Sequence, residues 1–258
     1  MKNTIYIYSG NGASPTSVAR AKETLARLVP DYAVRDLDAE SLLRGDWRKD
    51  AALLVFSGGE TKIWRKELGR RGQDIIRNAV RDGLSYIGFC AGGYFAASQT
   101  IFDNRSDEPE YLNPFGLGFF NGLAIGPVWG KYSYKSRRHA RAARTLWRDS
   151  GAVFPLYYNG GCYFEPRAGE SWPSNVTVLA TYVDFESKAA ALGIRYGKGR
   201  IILWGMHPEF SCTSHDATDI HIRDFLPQLT QAEPMRISVM DDSLTYLGLK
   251  TIQQPKVA

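Results

Sequence analysis

Cysteine is scarce: Cys90, Cys162 and Cys212 are the only three in 258 residues. An odd, sparse set of this kind argues against a disulfide scaffold and fits a reducing compartment. Long apolar runs are missing too. The longest uninterrupted one is Ala51–Phe56, against the ~20 residues a membrane-crossing helix needs. The start, Met1 to Tyr8, runs at once into Ser9-Gly10-Asn11-Gly12, which leaves no apolar stretch for a signal peptide. A cytoplasmic protein without membrane contact is the expectation. A strong charge imbalance is absent as well: 32 Lys and Arg face 27 Asp and Glu, a net charge of +5. That excess does not call for a nucleic-acid partner, and none is expected. There is no internal repeat, low-complexity tract or Pro/Ser-rich linker, so nothing divides residues 1–258 and one domain is expected. What is present is globular: 44% hydrophobic and 23% charged residues. A chain of this length buries about 70–75% of its unfolded surface and needs no metal to hold a core.

Short apolar runs and helical stretches alternate through the first hundred residues. Thr4–Tyr8 is β-rich and ends in a turn cluster. Ser14-Pro15 has the form of an N-cap followed by proline at the first helical position. Val18, Ala21, Leu25 and Leu28 then recur at helical spacing. Residues 32–37 predict a second strand. Ala51–Phe56 is continuous and apolar, as in a parallel strand covered on both faces. Residues 74–81 predict a helix, and residues 84–89 another buried strand. The alternation predicts an α/β doubly wound sheet. Further on, residues 123–129, 153–158, 162–165, 176–182, 189–196 and 200–204 are short runs separated by turns, which predicts added antiparallel strands. Asn159-Gly160-Gly161 and Gly197-Lys198-Gly199 have the composition of hairpin turns. Residues 218–229 and 240–247 predict closing helices.

The segment Gly88-Phe89-Cys90-Ala91-Gly92-Gly93-Tyr94 carries the strongest chemical signal. A strand delivers a cysteine into a Gly-x-Cys-x-Gly turn before a helix, the spacing of a nucleophile elbow. Glycines relieve crowding where the chain reverses. The helix start beside the sulfur favours thiolate over thiol, and the carboxyl edge of an open sheet is where ligands bind. A second strand, residues 200–204, runs towards His207-Pro208-Glu209. Pro208 biases His207 to extended backbone, where residues two apart share a side. Glu209 is then placed to orient the His207 ring, whose other nitrogen faces a thiol as general base. The backbone N–H groups of Ala91 and of Gly59 or Gly58 are candidate donors to an oxyanion. No metal or cofactor is expected.

Other segments read two ways. Lys131 to Arg148 holds seven Lys or Arg and no acid. It is a solvated basic element or a nucleic-acid or phosphate patch, and on a helix Arg137, Arg141, Arg144 and Arg148 would share a face. Its field would also favour an anionic substrate nearby. His215-Asp216-Ala217-Thr218-Asp219-Ile220-His221 has ligand-type residues but no recognised metal spacing. Asn159 and Gly160 border either a plain turn or a substrate pocket, and the same holds for Asn11. Cys162 and Cys212 lack the elbow context and are assigned structural roles.

The motifs Leu54-Val55-Phe56-Ser57-Gly58-Gly59, Gly88-Phe89-Cys90-Ala91-Gly92 and His207-Pro208-Glu209, in that order, resemble the class I glutamine amidotransferase superfamily. A closer resemblance is to the amino-terminal, amidotransferase-like domain of eukaryotic biotin–protein ligases. It extends over Tyr8-Ser9-Gly10-Asn11-Gly12, Gly72-Gln73-Asp74, Tyr157-Tyr158-Asn159-Gly160-Gly161 and Leu247-Gly248-Leu249-Lys250. The resemblance implies a flavodoxin-like three-layer α/β/α sandwich with a mostly parallel central sheet and added antiparallel strands. It implies a Cys90–His207–Glu209 triad acting through an acyl-enzyme on a small-molecule amide or carboxylate substrate. Class I amidotransferases continue the elbow as Cys-x-Gly-x-Gln; here Tyr94 stands in the glutamine's place, which makes Tyr94 a candidate substrate contact. It also opens the alternative of a non-catalytic binding or regulatory module. No biotin-transferring domain is expected within this length.

Overall fold

The computed structural model describes residues 2–102, 116–130 and 137–252, and the backbone of 110–112. Five parallel strands form the frame: β1 (Thr4–Tyr8), β2 (Ala33–Leu37), β3 (Ala51–Phe56), β4 (Ser85–Phe89) and β13 (Gly199–Trp204). They are ordered β2-β1-β3-β4-β13. That is the flavodoxin-like order of a doubly wound sheet. Between them in sequence lie α1 (Pro15–Leu28), α2 (Ala39–Arg44) and α3 (Thr61–Arg81). A six-residue α4 (Ala91–Ala96) follows β4, and α5 (Leu226–Gln231) and α6 (Glu233–Tyr246) close the chain.

Alternation along the frame strands builds both faces. Ile5, Ile7, Leu53, Val55, Ile87, Phe89, Ile202 and Trp204 join the buried stripes of α1 and α6 in one core. Their alternates Tyr6, Tyr8, Leu54, Phe56, Tyr86, Ile201 and Leu203 join α3 and α4 in the other. A strand buried on both sides must be apolar at every position, which is why Ala51–Phe56 carries no polar residue. Helix α1 begins as expected, with Ser14 as N-cap accepting from the Ser17 N–H and Pro15 in the first turn. Helix α3 begins earlier than residue 74. Its buried residues Trp64, Leu68, Gly72, Ile76 and Val80 recur every four positions, across a break at Gly69 (φ 55°). That glycine and the surrounding Lys, Arg and Glu residues hide the stripe in the sequence.

Beyond β13 the sheet grows by antiparallel pairing through β12 (Ala189–Tyr196) to β10 (Tyr163–Glu165) and β7 (Phe120–Gly126). β5 (Ala97–Phe102) then pairs parallel to β7 and carries β6 (Glu110–Leu112). A branch of β11 (Val176–Tyr182), β8 (Arg141–Trp147) and β9 (Val153–Tyr158) leaves from β12. Gly197-Lys198 is the predicted hairpin turn, joining Tyr196 to its partner Gly199. Asn159-Gly160-Gly161 is not one. β9 pairs with β8 while β10 pairs with β7 and β12, so Gly160 (φ 74°) turns the chain between different neighbours. The helix expected over residues 218–229 shrinks to α5. Asp216 and Asp219 instead accept from the Thr218 and His221 N–H groups, closing turns. The basic stretch divides likewise. Residues 131–136 lie outside the described residues, and Arg141 and Arg144 sit on a strand, so no helical face gathers the arginines. Arg141 lies 4.7 Å over Trp129, and Arg144 pairs with Asp184.

The start of α4 lies against the end of β3. A Cβ on Gly92 would come within 2.0 Å of the Phe56 carbonyl oxygen. Gly92→Ala is therefore expected to cost about 1–3 kcal/mol, because backbone rather than a pliable side chain must give way. Urea denaturation checks this, and an unchanged midpoint would contradict the tight apposition.

Candidate active site

β4 and β13 are hydrogen-bonded neighbours, with Phe89 opposite Trp204. Adjacent strands lie ~4.8 Å apart, so the segments leaving their carboxyl ends emerge side by side. Cys90 is the first residue after β4 and donates its N–H to the Trp204 carbonyl (2.8 Å). Its backbone is held at φ 49°, ψ −105°, a region a residue with a Cβ seldom occupies. Three bonds impose it. Gly93 and Tyr94 donate to the Cys90 carbonyl at 2.9 and 3.1 Å, and Gly92 donates to the Ser57 carbonyl at 3.1 Å.

His207 lies three residues beyond β13, its N–H on the Tyr157 carbonyl (3.0 Å). Its Nδ1 is 2.8 Å from Glu209 Oε1, and Glu209 is fully buried. Cys90 lines the same cleft as the ring and acts to raise its pKa. Burial alone would lower the His207 pKa, but the charges of Glu209 and Cys90 and the bonds to both outweigh it and raise the pKa to about 10. The Glu209 carboxylate is the largest influence favouring the protonated ring.

The loop holding this pair is fixed from behind. Thr24 Oγ1 donates to the Glu209 carbonyl (2.8 Å), and Arg236 Nη1 donates to the Pro208 carbonyl (2.7 Å). Arg236 also grips Glu233 through Nε and Nη2 at 2.8 and 2.7 Å. Glu233 further accepts from Ser211 Oγ and the Cys212 N–H. Burial pushes the Glu233 carboxyl up, but Arg236 and these donors hold it below the usual carboxylate range. Cys162, fully buried in the core, has a thiol pKa pushed well up by burial.

A cleft of about 1020 Å³ opens over the strand ends. Cys90, only 8% exposed, lines it together with His207, Gly58, Gly59, Ala91, Tyr94, Asn159 and Gly160. Ala91 is the first residue of α4, so its N–H has no acceptor within the helix. A Cβ on Gly58 would reach to 2.5 Å of Ser17 Oγ and 3.2 Å of His207 Cε1, so glycine there gives the imidazole its room. The Asn159 carbonyl lies 3.8 Å from Cys90 Sγ, and the Tyr94 hydroxyl donates to the Gly160 carbonyl (3.2 Å). Asn11 is not among the cleft residues. Its side-chain amide is bonded to Glu67 on α3 (3.3 Å), and Gly12 and Ala13 line the cleft instead. The sequence reading missed Ser17 and Arg20 of α1 as site residues, and also Tyr157 and His215, all of which line the cleft. The recurrence of Val18, Ala21 and Leu25 was the available signal for α1: its buried face fixes which side of the helix meets the strand ends. Among the described residues no group of three or more His, Cys, Asp or Glu is placed to hold a metal ion, and no helix is long and apolar enough to cross a membrane.

Residues 3–258 match the family described as "Biotin-protein ligase, N terminal". The chain belongs to that family. It is 32% identical over 252 residues to the biotin–protein ligase of Schizosaccharomyces pombe, covering 95% of this chain and 38% of that protein. It therefore spans well under half of that ligase's length. It is also 32% identical over 238 residues to an uncharacterized protein of Chlamydia muridarum, covering 85% of this chain and 86% of that one. Among solved structures, PurLQS from Thermotoga maritima superposes with a TM-score of 0.55 at 11% identity, over 95% of this chain and 100% of that chain. A catalytic mutant of a GH42 β-galactosidase from G. stearothermophilus gives 0.55 at 12% identity, over 98% of this chain and 31% of that chain. These two likenesses concern the fold. The family relation is carried by the sequence, and this member of the biotin–protein ligase N-terminal family carries Cys90 and His207–Glu209 at the ends of adjacent strands.

Proposed function

We propose that the protein is a thiol-dependent acyl-transfer enzyme of the amidohydrolase or amidotransferase type, acting on a small-molecule amide or ester. The supporting observation is the strained backbone of Cys90 beside His207, itself bonded to the buried Glu209. Strain at one non-glycine residue, maintained by three backbone bonds, is the kind of cost that persists at functional sites.

The Cys90 thiolate attacks the substrate carbonyl carbon, and the carbonyl π electrons move to oxygen. The N–H groups of Ala91 and of Gly59 or Gly58 receive that oxyanion, a contribution of ~3–4 kcal/mol to the barrier for such donors. Collapse expels the leaving amine or alkoxide, which takes the proton from the His207 imidazolium and leaves a Cys90 thioester. The now neutral His207 draws a proton from water, the resulting hydroxide attacks the thioester, and the acid departs with the thiolate and imidazolium restored. Glu209 keeps Nδ1 protonated and the ring aligned throughout.

The test is turnover on a panel of amides and esters, together with labelling by an electrophilic glutamine analogue and a non-glutamine amide probe, followed by peptide mapping. Label on Cys90 and loss of turnover in Cys90→Ala are expected. Equal turnover by both proteins on every substrate would refute the proposal. A second reading, a non-catalytic binding module, is favoured by Tyr94: its hydroxyl is tied to the Gly160 carbonyl and its ring occupies the position where amidotransferases carry glutamine. Failure of every probe to modify Cys90 would select it.

A further inference from the structure

At about 1020 Å³ the cleft lies at the top of the ~300–1,000 Å³ range of ligand sites, so it has room for much more than a reacting amide. Its chemistry is uneven. From the His207 ring the wall continues through Tyr157 (centroids 5.8 Å apart) to His215 (4.6 Å from Tyr157). At this end the wall also includes Arg20 of α1 and Arg137, which precedes β8. Among the described residues each guanidinium is anchored by one nitrogen only. Arg20 Nη1 lies 2.8 Å from both Glu23 oxygens, and its Nε is buried without a partner among the described residues. Arg137 Nη1 donates to Asp219 (2.6 Å), whose carboxylate is itself held by the His221 N–H. His215 Nε2 is likewise buried and unpartnered among the described residues. Of the acids in the cleft, Asp216 is engaged with the Thr218 N–H and hydroxyl, and Glu60 lies in the same lining as Lys62.

Resting on the acyl-transfer reading above, the geometry points to a substrate that carries an oxyanion, carboxylate or phosphate, held by the free N–H groups of Arg20 and Arg137 with His215 as a neutral hydrogen-bond partner. Planar guanidiniums present paired donors that match such a group. Burial first, then the charges of Arg20, His207 and Arg137, bring the His215 pKa down to about 4. It adds no charge of its own at neutral pH.

The experiment compares carboxymethylation of Cys90 by iodoacetate with carbamidomethylation by iodoacetamide, read by peptide mapping, on the full chain. The two reagents differ in charge but share their leaving group. In the wild type the iodoacetate-to-iodoacetamide rate ratio is expected to exceed that of N-acetylcysteine by ~10-fold or more, and to fall several-fold in Arg20→Gln and in Arg137→Gln. Arg44→Gln, whose side chain pairs with Glu40 at the exposed end of α2, is expected to retain the wild-type ratio. The His207 imidazolium favours iodoacetate too, so the decisive result is the fall in the two arginine variants. Protection by inorganic phosphate rather than by acetate would assign the anion as phosphate, and the reverse as carboxylate. An unchanged ratio in both variants, with iodoacetamide still reacting at Cys90, would overturn the anion site alone. Inertness of Cys90 to both reagents would overturn the acyl-transfer reading beneath it.

Discussion

Glu209→Gln is expected to slow alkylation of Cys90 by iodoacetamide at pH 6 by roughly 10²–10⁴-fold, the scale of losing the charged partner of a catalytic imidazole. The two side chains have the same shape, and glutamine can still accept from His207 Nδ1. What disappears is the negative charge. Glu209 is fully buried, so no water replaces that charge. The charge of Glu209 does most to raise the His207 pKa against desolvation, so without it the protonated ring beside Cys90 is disfavoured. Stability is expected to fall at pH 6 as well, because the contribution of the raised His207 pKa is lost with the charge. Glu209 Oε2 is buried with no hydrogen-bond partner among the described residues, so relief of its desolvation offsets part of that loss. Alkylation kinetics and the unfolding midpoint are read on the same variant. A lowered midpoint with unchanged alkylation would reduce Glu209 to a structural residue.

Arg236→Gln is expected to produce the largest loss of stability, about 3 kcal/mol, because it leaves the partly buried Glu233 without its counter-charge. The pair is shielded, with side-chain exposures of 6% for Arg236 and 16% for Glu233. Adding Glu233→Gln removes the orphaned charge and is expected to restore most of the loss. It does not restore the bond from Arg236 to the Pro208 carbonyl, so the double variant is expected to remain slow at Cys90. Full recovery of reactivity along with stability would show that Arg236 positions nothing. Chemical denaturation and alkylation kinetics on the two variants make the measurement.

The same groups set the pH dependence of stability. The folded-state pKa of Glu233 lies below its unfolded value. Its contribution is therefore present above ~4.3 and disappears as pH falls through the folded value. The His207 pKa is raised to about 10, so its contribution is complete below ~6.5 and is lost as pH climbs from there through 10. His215 acts the other way. With a folded value of about 4, it leaves the unfolded chain to bind a proton first, and it costs stability as pH drops from ~6.5 to about 4.

How much of the fold and site was readable from residues alone depends on the range of the interactions. The frame was legible because its signals are local. Ser14-Pro15 starts a helix, Ala51–Phe56 is apolar at every position, and Gly197-Lys198 closes a hairpin within its own strands. Cys90 and His207–Glu209 were legible because strained elbows and extended His-x-Glu triplets need particular residues at particular spacings. Asn159-Gly160-Gly161 misled for the complementary reason. A turn-prone sequence states that the chain reverses, but which strands then pair is decided by partners far away in β7, β8 and β12. Arg20, Arg137 and His215 were invisible as a group. They sit on a helix, a loop and a turn, and only the packing of α1 against the sheet and the branching of β8 from β11 bring them to one wall. Asn11 lies one residue short of the cleft lining. Its neighbours Gly12 and Ala13 reach the cleft, while its own amide goes to Glu67.

The central claim is an imidazole bonded to a buried carboxylate, with its protonated form favoured, in the cleft that Cys90 lines. Titration of the His207 ring by NMR, in protein labelled at histidine, examines it without any knowledge of the substrate. The ring is expected to stay protonated through pH 8 and to release its proton near pH 10, with a clear downward move in Cys90→Ala. A ring that titrates near ~6.5, unmoved by Cys90→Ala, would contradict the account.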